Sequence, residues 1–191
     1  MSPVEILAVA LGLVNVTLVV RRTVWNYPFG IAMVVLYGFI FFERKLYSDA
    51  LLQIFFFAVQ FYGWWNWARS RARAGEVVVL RLGWPARLGW AAGCAAATLA
   101  WGWAMHRYTD AAFPWWDAGV AMMSVAAQVL MSRRYFESWW LWIAVDLTAM
   151  PLYAARELWL TAALYWVFLA LSAWGLVEWM RTLRPRPSPQ S

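Results

Sequence analysis

The sequence predicts an all-α membrane protein with seven transmembrane helices. Of its 191 residues, 64% are hydrophobic and only 14% are charged, whereas soluble domains are about 45–50% apolar and about 25% charged. Apolar runs long enough to span a bilayer recur between short arginine-containing tracts. Too few polar residues remain to cover a globule in water, which excludes a soluble domain.

The seven spans follow from length and apolar composition, because a bilayer core of about 30 Å takes about 20 helical residues. They are predicted at 4–20, 24–42, 49–67, 88–105, 115–131, 136–154 and 157–180. No basic residue precedes the first apolar run, so we interpret it as an uncleaved span and not as a signal peptide. The fourth is rich in alanine and glycine and is predicted to be a connector.

An internal repeat relates the first three spans to the last three. Residues 11–69 align with 123–181 at a constant offset of 112, without gaps and with 14 identities in 59 positions. The identities include the pairs Arg21 and Arg133, Arg22 and Arg134, Arg44 and Arg156, Gly63 and Gly175, and Trp67 and Trp179. A single intervening span lets both triplets enter the membrane in the same direction. The pattern predicts a 3+1+3 parallel-repeat, SWEET-like architecture with a substrate pathway at the repeat interface.

The domain organisation and orientation follow from this plan. The predicted units are the first three-helix repeat (1–67), a cytoplasmic loop and linker helix (68–110), the second three-helix repeat (111–180) and a disordered cytoplasmic tail (181–191). With alternating loops, 12 of the 16 Lys and Arg fall on one side. This excess marks the cytoplasm, so the N-terminus is expected outside and the C-terminus inside. The net charge of +6 therefore reflects topology and not nucleic-acid binding.

The sequence lacks the residues that disulfides, metal sites, hydrolytic catalysis and a retinal Schiff base require. Cys94 is the single cysteine, which excludes an internal disulfide and a cysteine-based metal site. The lone histidine, His106, lies at the end of the fourth span, and the chain has no HExxH or GxSxG motif. The only lysine, Lys45, lies in a loop, so a retinal protein with a Schiff base inside a span is also excluded. We expect no enzyme, no cofactor and no metal.

Polar and aromatic side chains share helix faces in four spans, at steps of 3, 4 and 7 residues. These stripes are Gln53, Gln60, Trp64 and Trp67; Asp117, Ser124 and Gln128; Trp139, Trp142, Asp146, Met150 and Tyr153; and Thr161, Tyr165, Phe168 and Ser172. A polar group left unsatisfied in lipid costs several kcal/mol, and a charge at the helix centre about 3 kcal/mol or more. The stripes are therefore predicted to face an interior site, although for Ser124 and Thr161 a simple interhelical hydrogen bond is the alternative.

The 17 tryptophans divide by depth. Five lie at predicted span ends, where a headgroup belt accounts for them: Trp25, Trp84, Trp115, Trp116 and Trp159. Four share faces with polar groups: Trp64, Trp67, Trp139 and Trp142. Indoles beside amides and a carboxylate suit a flat ring that carries a hydroxylated sugar, because the ring stacks and the sugar accepts and donates hydrogen bonds.

Three segments resemble the PnuC family of vitamin transporters. They are WNYPFG (25–30), LYSDALLQIFFFAVQFYGWWNW (46–67) and the stretch 132–171, and the resemblance extends over about 10–180. It implies uptake of nicotinamide riboside across a bacterial inner membrane by facilitated diffusion and alternating access, with trapping by cytosolic phosphorylation. Relatives in the family carry thiamine or riboflavin, so these vitamins stay open, as does a proton-coupled symporter that uses Asp117 and Asp146.

The resemblance also implies a substrate site. It corresponds to Gln53, Gln60, Trp64, Asn66 and Trp67 in the first repeat and to Gln128, Trp139, Trp142, Asp146 and Tyr165 in the second. Asn66 lies off the stripe that contains Gln53 and Trp64, so an amide in a helix interface is its alternative role. The expected partners are a pyridine nucleoside or similar vitamin and membrane lipid, with no nucleic acid. Self-association into a homo-oligomer is left open.

Overall fold

Seven α-helices make up the described part of the chain, as the sequence predicts. The computed structural model describes residues 3–43, 47–109, 113–155 and 159–183. The helices are α1 (Pro3–Val20), α2 (Asn26–Glu43), α3 (Tyr47–Ala74), α4 (Trp84–Tyr108), α5 (Pro114–Ser132), α6 (Ser138–Ala155) and α7 (Trp159–Leu183).

Two helices extend beyond the predicted spans. Helix α3 continues past residue 67 to Ala74, because arginine is a good helix former and Arg69, Arg71 and Arg73 continue the helix beyond the apolar segment. Helix α4 begins at Trp84 and not at 88, with a proline in its first turn, where the missing N–H costs nothing. The segment between residue 67 and the fourth span, predicted as loop, is therefore partly helical.

The outer faces of the helices are apolar. Large side chains such as Phe39, Ile54, Leu99 and Trp166 are strongly exposed, as expected for surfaces that contact lipid. By length and apolar composition alone, Pro3–Val20 and Ala162–Leu183 are sufficient to cross a membrane, and Asn26–Ile40 is apolar but shorter.

Six helices form a closed ring. Each packs against its neighbours in the order α1, α2, α3, α5, α6, α7, and contacts between α7 and α1 close the circle. Helix α4 lies outside the ring and, within the described ranges, packs only on α5. In those ranges the backbones of helices on opposite sides of the ring do not approach one another closely. The inward faces of these six helices therefore surround a common interior.

The turns α1–α2 and α5–α6 have the same backbone geometry. Arg22 and Arg134 both adopt positive φ, 55° and 67°, which terminates the preceding helix in a left-handed residue. The next residue in each turn bonds back to a leucine carbonyl, from Thr23 N at 3.0 Å and from Tyr135 N at 2.9 Å. Equivalent residues in the two turns differ by 112, and we refer to this end of the ring as the arginine-rich end.

The loop between α3 and α4 covers the arginine-rich end. We define residues 75–83 as the strap. Its Val77 and Val79 are buried in the hydrophobic core, and Leu80 forms a parallel bridge with Tyr135. The Glu137 carboxylate accepts from the Leu82 backbone N–H at 3.1 Å and from Arg87 at 2.6 Å. The strap is thus fastened to the turn that begins α6.

Candidate functional site

The ring interior contains two layers of side chains. The aromatic cluster consists of Tyr27, Trp67, Trp139 and Trp179, all buried near the arginine-rich end. The polar layer consists of Asn15, Gln60, Asp146 and Ser172, which are also buried. Gln60, Asp146 and Ser172 each lie seven residues from a member of the aromatic cluster on the same helix. The polar layer therefore lies on the same helix faces, about 10 Å deeper in the ring.

The aromatic cluster is built from two matching pairs. Tyr27 contacts Trp67 edge to face, with ring centroids 5.5 Å apart and an interplanar angle of 90°. Trp139 contacts Trp179 in the same way, at 5.6 Å and 87°. The centroids of Trp67 and Trp179 are 5.8 Å apart, which joins the pairs across the ring. The four rings close the interior at the arginine-rich end.

Two glycines make room for these rings. A Cβ atom on Gly63 would lie 2.6 Å from the hydroxyl oxygen of Tyr27, and one on Gly175 would lie 2.4 Å from Cζ2 of Trp139. Both distances are shorter than van der Waals contact, so each ring packs directly against helix backbone. This explains why the glycine and the tryptophan four residues later occur in both repeats.

The two central indoles donate hydrogen bonds to neighbouring helices of the ring. Nε1 of Trp67 in α3 donates to the Met131 carbonyl oxygen of α5 at 3.1 Å. Nε1 of Trp179 in α7 donates to the Val19 and Val20 carbonyl oxygens of α1, each at 3.3 Å. These hydrogen bonds lie at the two interfaces, α3 with α5 and α7 with α1, where the first three helices meet the last three.

In the first half of the polar layer, two amides approach the backbone of Gly30. A Cβ atom at that position would lie 2.6 Å from Nε2 of Gln60 and 2.7 Å from Nδ2 of Asn15. Asn15 also donates to the Asn26 carbonyl oxygen at 2.7 Å. The amides of α1 and α3 therefore meet on α2, at the centre of the first three helices.

In the second half, a carboxylate and a hydroxyl form a buried pair. Ser172 Oγ donates to Oδ2 of Asp146 at 2.9 Å. The ion pairs of the described residues are Arg22 with Glu76, Arg87 with Glu137 and Arg181 with Glu178. None involves Asp146, and α6 contains no basic residue.

The structure brings five of the ten predicted site residues into these layers or against them. Gln60 and Asp146 belong to the polar layer, Trp67 and Trp139 belong to the aromatic cluster, and the half-buried Trp142 packs against that cluster.

The other predicted residues lie at the margins of this group. Asn66 donates to the Ser132 carbonyl oxygen at 2.9 Å, which is the interface role given as its alternative. Trp64 is more than a third exposed, and its ring stacks on Tyr27 with centroids 6.4 Å apart. Gln53 faces Gly38 of α2, and Tyr165 contacts Phe168 edge to face at 6.0 Å. Gln128 is half-buried in α5.

Sequence reasoning missed Asn15, Tyr27 and Trp179 as interior residues. The repeat contained the signal for two of them, because the offset of 112 pairs Tyr27 with Trp139 and Trp179 with Trp67. Asn15 could have been found as an amide in an otherwise apolar span, where an unsatisfied polar group is costly.

Two surface cavities lie outside the ring interior. One, of about 340 Å³, is bordered by Arg21, Arg71 and Glu76 at the arginine-rich end. The other, of about 380 Å³, is a groove between α4 and α5 beside Gly93 and Cys94. Within the described ranges, no three His, Cys, Asp or Glu side chains come together as a metal site requires.

Known proteins of similar sequence and structure are membrane transporters. A family model described as nicotinamide mononucleotide transporter matches residues 2–181. The nicotinamide riboside transporter PnuC of Escherichia coli (strain K12) is 28% identical over 98% of this chain and 89% of its own length. The riboflavin/roseoflavin transporter RibM of Streptomyces davaonensis is 31% identical over 88% of this chain and 80% of its own.

A solved structure agrees with these relatives. The crystal structure of the vitamin B3 transporter PnuC is 27% identical and matches with a TM-score of 0.76 over 93% of this chain and 80% of that one. The family predicted from the three sequence segments is confirmed. The chain therefore belongs to the nicotinamide mononucleotide transporter family, which includes the PnuC transporters.

Proposed function

We propose that this protein takes up nicotinamide riboside across a bacterial inner membrane by facilitated diffusion. The observation that carries the proposal is the ring interior, where buried amides, indoles and one carboxylate lie together and the ring helices have no Lys or Arg near mid-span. Indoles stack on a flat ring, and amides bond hydroxyls and a carboxamide. Cytosolic phosphorylation of the nucleoside then prevents its return.

The interior favours the riboside over the mononucleotide. A phosphate monoester carries a charge of about −1.5 to −2 at neutral pH, and proteins hold it with Arg or Lys. Helices α1, α2, α5 and α6 contain no Lys or Arg, and in α3 and α7 arginine is confined to the end segments. Asp146 would repel the phosphate further.

We place the substrate between the polar layer and the aromatic cluster. Gln60, Trp142 and Asp146 are the proposed central contacts, and the buried Trp67 and Trp139 form the floor. Five residues at the margin complete the proposed site as the aromatic cluster opens and closes. They are Gln53, Trp64, Asn66, Gln128 and Tyr165.

We also propose that the chain consists of two parallel three-helix repeats, residues 1–67 and 111–180, joined by the linker 68–110 that contains α4. The matching turns, the paired aromatic contacts at an offset of 112, and the α3–α5 and α7–α1 indole hydrogen bonds all support this organisation. Alternating access would then separate the two repeats at the aromatic cluster.

The proposed orientation has the arginine-rich end in the cytoplasm and the N-terminus outside. The arginine excess at that end supports it, and the aromatic cluster would then be a closed cytoplasmic gate. We propose uniport, since none of the ion pairs between described residues involves Asp146, which leaves that carboxylate without a basic relay partner in the described ring.

Riboflavin is the second candidate substrate, because the chain is 31% identical to a riboflavin/roseoflavin transporter. Calorimetric titration of the purified protein with nicotinamide riboside, its mononucleotide, thiamine and riboflavin tests both candidates. We expect binding of nicotinamide riboside alone. Binding of riboflavin without nicotinamide riboside would replace the first candidate with the second. Uptake into liposomes that does not respond to a pH gradient is expected for uniport.

A further inference from the structure

Asp146 is an acidic residue inside the ring without a counter-charge. Its side chain is 3% exposed, and its described partner is the Ser172 hydroxyl, at 2.9 Å. A hydroxyl satisfies a lone pair of the carboxylate but does not neutralise its charge. The ion pairs of the described residues all lie outside the polar layer. The ring helices offer no Lys or Arg near mid-span.

A charge in such a surrounding is unfavourable, so the carboxylate must either bind a proton or pair with a cation. Protein interiors with buried acidic groups normally provide the cation themselves, as Arg87 of α4 does for Glu137 before α6. In the polar layer nothing provides it. With Asp146 ionised, the polar layer has one negative charge and no positive one. A positively charged ligand would neutralise it.

A second group in the interior also lacks its partner. Nε1 of Trp139 is buried without a hydrogen-bond acceptor, and its side chain is 1% exposed. Trp139 and Asp146 are seven residues apart on α6 and so share one face, about 10 Å apart along the axis. Trp142 lies on α6 between them. Helix α6 therefore presents three groups in succession. They are the unpaired indole N–H of Trp139, the indole ring of Trp142 and the carboxylate of Asp146.

We propose that Asp146 is the counter-ion for a positively charged heteroaromatic ring, and that the site selects cationic nucleosides over neutral flavin-type rings through this charge. This inference rests on the proposed function and specifies how its substrate is distinguished. The ring cation lies near the Asp146 carboxylate and over the indole of Trp142, where cation–π attraction adds to the ion pair. A ligand oxygen accepts from the Trp139 indole.

Oxidised nicotinamide riboside and its 1,4-dihydro form provide the test, because they share every heavy atom and differ in the ring charge. Calorimetric titration of the purified full-length protein should show at least tenfold tighter binding of the oxidised cation. Asp146→Asn should lower affinity for the cation at least tenfold and leave affinity for the dihydro form within twofold. Gln60→Ala, which removes an uncharged contact, should weaken both forms by a similar factor.

Equal affinity of the unaltered protein for the two forms would overturn the inference and leave the proposed function intact. Failure of both forms to bind would instead contradict the proposed function. If Asp146→Asn does not fold, as judged by its unfolding profile in detergent, Asp146→Glu retains the charge and should retain the preference for the cation. Loss of the preference in a folded Asp146→Glu protein, with the dihydro form still bound, would count against a counter-ion role.

Discussion

At the scale of single residues, close packing of side chains on glycine defines the interior. Gly30, Gly63 and Gly175 each lie against a polar or aromatic side chain at a distance that no Cβ could tolerate. Glycine is used here for close approach, since none of the three adopts positive φ. Function and stability should therefore both respond to a single added methyl group.

Gly175→Ala tests this packing. The new Cβ would lie 2.4 Å from the Trp139 ring, and such overpacking costs about 1–3 kcal/mol. We expect a lower unfolding midpoint in detergent, measured by tryptophan fluorescence. Gly93→Ala in α4 is the control, because nothing lies within 4 Å of its Cβ position and alanine favours the helix by up to about 1 kcal/mol. Equal destabilisation of the two variants would contradict the packing argument.

Trp142→Ala tests the proposed stacking contact. Stacking of a base on an aromatic side chain contributes about 1–3 kcal/mol, so affinity for nicotinamide riboside should fall about 5- to 100-fold in calorimetry. The control is Trp166→Ala, whose indole is 65% exposed on the outer face of α7 and should bind normally. Unchanged affinity in a folded Trp142→Ala protein would remove this residue from the site.

At the scale of elements, the strap joins α3 and α4 to the α5–α6 turn, which is distant from it in sequence. The bridge of Leu80 to Tyr135 and the hydrogen bond of Leu82 to Glu137 each join residues 55 positions apart. The sequence predicted this region as loop, because the apolar run ends at residue 67 and the bridge of Leu80 to Tyr135 depends on a partner that no local pattern specifies. The spans themselves were predicted well, since length and apolar composition are local properties.

Arg87→Ala tests the strap. Glu137 is 11% and Arg87 25% exposed in their side chains, and removal of one partner leaves a largely buried carboxylate unpaired. After allowance for solvent screening at Arg87, we expect a loss of about 1–3 kcal/mol in unfolding free energy. Arg181→Ala breaks a more exposed pair, at 71% and 36%, and should change stability by less than about 0.5 kcal/mol. A neutral Arg87→Ala variant would show that the ion pair does not hold the strap.

At the scale of the whole molecule, two equivalent contacts close the ring. Trp67 bonds α3 to α5, and Trp179 bonds α7 to α1. The residues involved on the acceptor side, Met131 and Val19, also differ by 112. If the repeats are equivalent, loss of either indole hydrogen bond should have a similar effect.

Trp67→Phe and Trp179→Phe test this equivalence. Trp67→Phe removes the hydrogen bond to Met131, and Trp179→Phe removes the one shared between Val19 and Val20. A hydrogen bond contributes about 0.5–1.5 kcal/mol, so we expect unfolding free energies lowered by similar amounts. Because the two rings are in contact at 5.8 Å, the double variant should deviate from additivity. Trp103→Phe on the exposed face of α4 is the control. A large effect at only one of the two positions would argue against equivalent repeats.

The sequence alone determined the membrane class, the seven helices and the family, because hydropathy, helix periodicity and motif spacing are properties of neighbouring residues. It also contained the offset of 112 that links Tyr27 to Trp139 and Trp67 to Trp179. Only the tertiary structure decided that Asn66 forms a hydrogen bond to α5. It also decided that Asn15 and Gln60 both pack on Gly30, and that the described partner of Asp146 is the Ser172 hydroxyl and not a cation. These pairings depend on which helices become neighbours in the ring. That choice is made by packing between distant segments, and no local pattern records it.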